Sequence, residues 1–141
     1  MDSLQYVLSG EKERFRKLLG VIEGKDVFAL GGIHGFPISN VLKEWGAPVI
    51  QMDFKNYGEG VPFPESCMDI VVSENLISAG NPFGEYMADP RKFFQETLHI
   101  LRPRGHYISN DFSVEPTDLQ VAGFVDIKPI FSEQFLYGRK P

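Results

Sequence analysis

Apolar and polar positions change period several times along the chain. Phe15, Leu18, Leu19 and Ile22 recur at i, i+3, i+4 and i+7, the stripe of one helix face, with Ser9 ahead of them as a capping residue. Glu11, Lys12, Glu13, Arg14, Arg16 and Lys17 fill the other face with mixed charge, as a solvated surface does. Gly24-Lys25-Asp26 is turn material, and Val27-Phe28-Ala29-Leu30 is a short apolar run that predicts a buried strand. Gly31-Gly32-Ile33-His34-Gly35 follows at once. Pro37 suits a first helical position, where its missing N–H costs nothing. Ile38, Val41, Leu42 and Trp45 then give a helical stripe that Gly46 and Pro48 end, and Val49 to Asp53 reads as the next strand. Residues 27–53 therefore predict a strand–helix–strand unit, normally right-handed.

Between Asp53 and the strand Asp69 to Ser73 lie Gly58, Gly60, Pro62 and Pro64, a stretch too short and too broken for both a helix and a strand. It predicts an irregular crossover. A polar, glycine-rich loop runs from Glu74 to Ala88. Asp89 and Pro90 open a helix whose buried face is Phe94, Leu98 and Leu101, with Thr97 beside them, and Arg102-Pro103-Arg104-Gly105 stops it. His106 to Phe112 is a strand, Asp118 to Ala122 one helical turn, and Phe124 to Ile127 with Glu133 to Tyr137 a closing hairpin. Strands alternating with helices predict an α/β Rossmann-like three-layer sandwich, mostly parallel with a C-terminal antiparallel hairpin. Ligands of such sheets bind beyond the carboxyl ends of the strands. Three separate pieces converge there: the Gly31–Gly35 loop, Asp53 and the Ser73–Asn75 segment.

Composition narrows the class. The 141 residues carry a net charge of −5 and are 43% hydrophobic, which suits one folded domain over 1–141, with 1–23 as an N-terminal helical segment. No apolar run approaches the ~18 residues of a membrane helix, and no secretory signal opens the chain. The single Cys67 excludes an internal disulfide and fits a cytoplasmic setting. Net acidity argues against nucleic acid as a partner of the whole surface.

The candidate chemistry is a ligand cradle. Glycines in the turn let backbone approach a ligand and adopt positive φ, and the helix behind offers free N–H groups to a carboxylate or phosphate; a tight turn alone explains them equally well. Asp53, one strand over, has the place of a carboxylate that accepts both ribose hydroxyls; its other reading is a solvated strand end. The dinucleotide fingerprint fails at Ile33. His34 reads as a loop histidine with no paired carboxylate, His99 and His106 read as structural, and no metal-ligand spacing joins the three. Cys67 has no basic neighbour in sequence to make it reactive. No catalytic base can be named. Asn81-Pro82-Phe83 only partly matches the Asn-Pro-Pro-aromatic motif of amino-group methyltransferases.

At Pro62-Phe63-Pro64-Glu65-Ser66-Cys67-Met68-Asp69-Ile70-Val71-Val72-Ser73 the chain resembles the class I S-adenosylmethionine-dependent methyltransferases of small-molecule type. Asp89-Pro90 through Leu101-Arg102-Pro103-Arg104-Gly105 is similar to that family's helix and Arg-Pro-Gly-Gly turn, and Ala122-Gly123-Phe124 with Arg139-Lys140-Pro141 to its closing hairpin. The likeness spans about residues 24–141. It implies the methyltransferase fold without one helix and edge strand, S-adenosylmethionine as cofactor and a small-molecule acceptor. By the same resemblance, cofactor-binding positions are Gly31, Gly32, Gly35, Asp53, Phe54, Ser73, Glu74 and Asn75. The glycines would cradle the methionine part, Asp53 would bind the ribose, and Glu74 and Asn75 would face the methionine or the acceptor. The chain departs from the family at Ala29, where an acidic residue is usual, at Ile33 and Arg104, where glycines are, and near Tyr57, where an acidic residue usually meets the adenine. Those departures keep a second reading open, a non-catalytic ligand-binding or partner-subunit relative. A shortened sheet bares the edge at residues 49–60, where residues 54–60 or a second chain, identical or different, would pair.

Overall fold

The computed structural model describes residues 3–31, 35–53, 63–74, 90–110, 114–131 and 135–141. Two helices open the chain, α1 (Ser3–Ser9) and α2 (Lys12–Leu19). They are followed by β1 (Val27–Gly31), α3 (Pro37–Glu44), β2 (Val49–Asp53) and β3 (Met68–Ser73). Then come α4 (Pro90–Ile100), β4 (Leu101–Ser109), α5 (Pro116–Ala122), β5 (Val125–Ile130) and β6 (Phe135–Arg139). The strands form one sheet in the order β2-β1-β3-β4-β6-β5. β2, β1, β3 and β4 run parallel, and β6 pairs antiparallel with both β4 and β5. This is the mostly parallel α/β sheet with a C-terminal hairpin that the sequence predicts. The irregular crossover expected after Asp53 and the Glu74–Ala88 loop fall largely outside the described residues.

The three layers follow from β1. All five of its residues are buried, so each side of the strand needs a cover. Val27 and Ala29 join a core with Leu8, Phe15, Leu19, Ile38, Val41 and Leu42 from α1, α2 and α3. Phe28 and Leu30 join the opposite core with Phe93, Phe94, Tyr107, Leu119 and Phe124. Period-two alternation thus sends neighbouring residues into separate layers.

Several boundaries differ from the sequence expectation. Ser9 does not cap the second helix: it closes α1, where its hydroxyl donates to the Tyr6 carbonyl at 2.6 Å, and Glu11 takes the N-cap of α2 without a side-chain bond. Leu101 belongs to β4, and the inner face of α4 is Phe93, Phe94, Thr97 and Ile100, with Leu98 half-buried. Residues 102–105 do not end a helix but bulge from β4, between the pairs Met68–Leu101 and Ile70–His106. Within that bulge Arg104 has φ 67°, a left-handed conformation that costs a non-glycine residue about 1 kcal/mol. Pro129 is accommodated because β5 is the sheet's far edge strand.

Candidate functional site

The carboxyl ends of β1, β2 and β3 come together. Gly31 pairs in register with Asp53, and the Glu74 amide donates to the Leu30 carbonyl at 2.9 Å, extending β3 alongside β1. Asp53 is half-buried at the end of β2. Gly35 has φ 81°, the conformation that favours glycine in a loop leading to a helix. Gly32, His34, Phe54 and Asn75 lie outside the described residues, as do Ile33, Tyr57 and Asn81-Pro82-Phe83.

Gly31 is small for a reason other than its dihedrals. A Cβ there would stand 3.1 Å from both the Cβ and the carbonyl oxygen of Glu74, and 3.3 Å from the Phe36 ring. The space is taken by Glu74, which is fully buried. Its carboxylate accepts from the Ile38 amide at 2.5 Å, the Ser39 amide at 3.2 Å and the Ser39 hydroxyl at 2.7 Å. Those amides belong to the first turn of α3, whose N-cap, Phe36, offers no polar side chain. Glu74 therefore caps α3 from another strand, satisfying donors the helix leaves open and placing negative charge at the positive end of its dipole. The sequence-based expectation that a ligand's carboxylate or phosphate would take this helix end meets a protein carboxylate already there. Val72 and Glu74 share a face, and Val72 pairs with Ala29, so the carboxylate sits on the same side as Ala29, one strand across.

A polar relay continues outward. Gln51 Nε2 donates to Ser39 Oγ at 3.1 Å and to Asn40 Oδ1 at 2.6 Å, and Asn40 Nδ2 donates to Gln5 Oε1 at 3.0 Å. Ser73 points the other way, its hydroxyl sharing a hydrogen with the Tyr107 hydroxyl at 2.6 Å. Sequence reasoning missed Ser39 and Gln51. The signal for a remote cap was present: a helix starting Phe36-Pro37 has no capping side chain of its own.

No group of three or more His, Cys, Asp or Glu among the described residues could hold a metal. Burial pushes the Cys67 thiol up, away from reactivity. His99 is exposed on α4. His106 is half-buried with Nδ1 2.6 Å from the Tyr137 hydroxyl. Burial pulls its imidazole down to about 4 from the ordinary 6.5; Lys25 and Arg139 add to this and Asp69 opposes it. The unfolded chain then binds the extra proton more readily. Stability from this group is complete above pH 6.5 and drains away as pH falls towards 4, by about 2 kcal/mol once partial exposure is discounted. Urea unfolding across that window should show the slope in the native chain and a flatter one in His106→Gln.

No protein-family model and no curated protein sequence matches the chain. Solved structures do. A methyltransferase dependent on S-adenosylmethionine from Aquifex aeolicus superposes with a TM-score of 0.64 at 16% identity, over 92% of this chain and 89% of that one. A 16S rRNA methyltransferase from T. thermophilus, solved with AdoMet and guanosine, gives a TM-score of 0.68 at 17% identity over all of this chain but only 44% of its own. A Haloferax volcanii methyltransferase, in complex with its activator, gives 0.54 at 14% identity, over 100% of this chain and 99% of that one. The chain thus has the fold of the class I S-adenosylmethionine-dependent methyltransferases. No helix among the described residues is long and apolar enough to cross a membrane.

Proposed function

We propose that the chain is a one-domain methyltransferase-like protein that binds S-adenosylmethionine at the carboxyl ends of β1 and β2 and passes its methyl group to a small-molecule acceptor. The observation that carries this reading is the register of Gly31 with Asp53 on a sheet of the methyltransferase type. Asp53 accepts the ribose hydroxyls, and Gly31, Gly32 and Gly35 form the turn beside them. Phe54 and Asn75 are the further cofactor positions of this reading, and Ser73, whose hydroxyl is held by Tyr107, would take part through its backbone. The described residues fit the nucleoside half through the half-buried Asp53 carboxylate. At the methionine half Glu74 serves as a fixed negative charge in place of the acid that Ala29 lacks. It acts through the turn it holds rather than as a free ligand. S-adenosylmethionine supplies an activated methyl on a sulfonium; the chain's task is to align an acceptor with it, for which proximity suffices. The relative solved with AdoMet supports the choice of cofactor.

A partner at the outer edge of β2, around residues 49–60, belongs to the same reading. Ile50 and Gln51 are exposed on that strand, and the H. volcanii relative was solved with an activator. Sedimentation of the pure chain separates a homodimer from a different partner. A cytoplasmic setting accords with the lone Cys67.

Calorimetric titration with S-adenosylmethionine and its demethylated product tests the proposal. Binding should weaken about tenfold or more in Asp53→Ala, the loss of one charged hydrogen-bonding group. A native chain that gives no binding heat at about 1 mM ligand overturns it.

A further inference from the structure

A second site lies at the opposite end of the sheet. A cleft of about 650 Å³ opens where the parallel strands begin, within the size range of small-molecule sites. Lys25, Arg104, Arg139, His106 and Asp69 line it. Lys25 is six residues before Gly31, so the cleft is about 20 Å from the candidate cofactor site along the strand direction.

The charges there are unbalanced. Arg139 Nε donates to Asp126 Oδ2 at 2.6 Å, so that cation is matched. Asp69, the carboxylate of the wall, is engaged: its Oδ2 accepts from Arg102 Nη1 at 2.8 Å and from the Asp26 amide at 2.9 Å, and the same Arg102 nitrogen also donates to Asp26 Oδ2 at 3.0 Å, so two carboxylates share that one cation. Lys25 and Arg104 have no ion pair or side-chain hydrogen bond among the described residues. Lys25 and Arg104, neither held by a carboxylate, thus line one cleft of a chain whose net charge is −5, and with Arg102, Arg139, Asp26, Asp69 and Asp126 beside them the surround keeps one positive charge in excess. The proximity of Lys25 and Arg139 also helps keep the His106 imidazole unprotonated, which agrees with a positive local potential.

The backbone adds an independent sign. Arg104 is held in the left-handed region, its amide donating to the Lys140 carbonyl at 3.1 Å while Lys140 donates back to Gly105 at 2.9 Å. Glycine would adopt that conformation freely. Strain kept at an arginine that lines a cleft points to use of its side chain.

We propose that this cleft binds the phosphate group of a small molecule, with Arg104 and Lys25 as its two cationic ligands. A phosphate monoester carries nearly two negative charges at neutral pH, which two free cations match; a carboxylate carries one. The guanidinium offers a planar fork to two phosphate oxygens, and the ammonium a point charge.

The test uses the whole chain and inorganic phosphate, followed by amide shifts of Gly105 and His106, with acetate at equal ionic strength as control. Phosphate should shift both residues saturably and acetate should not. Arg104→Gly should weaken phosphate binding about tenfold or more, while its melting midpoint rises by about 3 °C as the strain is released. Lys25→Gln should also weaken binding, with no rise in midpoint. Equal responses to phosphate and acetate overturn the proposal, as does undiminished binding in Arg104→Gly. A single-stranded oligonucleotide that binds the cleft more tightly than phosphate, with steep salt dependence, overturns the small-molecule assignment. None of these readouts depends on S-adenosylmethionine, so this site and the cofactor site stand or fall separately.

Discussion

Glu74→Ala is expected to unfold the chain more readily by about 4 kcal/mol, the largest loss from any single carboxylate here. The change strips acceptors from two buried amides and one buried hydroxyl at once, and leaves a cavity at the start of α3 where the buried carboxylate stood. Glu74→Gln keeps the shape and one acceptor oxygen but loses the charge at the helix end. It should cost about 1.5 kcal/mol. Denaturant unfolding of both variants measures the ranking. A double-mutant cycle with Ser39→Ala isolates the Glu74–Ser39 bond, and a coupling near zero would show that the carboxylate does not cap α3 as described.

Gly105→Ala comes next, with a loss of about 3 kcal/mol. The new Cβ would lie 2.8 Å from the Arg102 carbonyl oxygen, 2.9 Å from Leu101 Cδ2 and 3.1 Å from the Asp69 carbonyl oxygen. Two of these neighbours are backbone, so the bulge itself must move. Gly10→Ala is the matched control, since its Cβ would meet nothing nearer than 3.6 Å and no positive φ is involved; it should be neutral within about 0.5 kcal/mol. Thermal melts of the two variants side by side make the comparison.

The part of the architecture set by local pattern was legible in the residues. The apolar run of β1, the proline start and glycine stop of α3, and the strand ending at Asp53 all stand where the alternation and punctuation put them. The first helix was not legible. Tyr6 and Val7 are 72% and 61% exposed, so its apolar residues do not sort onto one side, and it is held by Leu8 in the core shared with α3. The start of β4 was hidden because Pro103 and Gly105 are the residues that stop helices, and only the sheet reveals that they form a bulge. At the site, the meeting of Gly31 with Asp53 follows from a strand–helix–strand reading. The Glu74 cap does not, because sequence fixes a residue's strand and face but not which free amides its side chain will find.

The relay from Glu74 through Ser39, Gln51 and Asn40 reaches Gln5, inside the first helix, and the Gln5 amide donates back to Glu44 at the end of α3 at 3.5 Å. Leu8, Phe15, Leu19 and Ile22 are buried beside the same α3. The leading segment is therefore a tether on α3, the helix that follows Gly35. Cutting away residues 1–23 would strip α3 of that hydrogen bond and of its apolar cover together, loosening the helix whose first turn Glu74 holds.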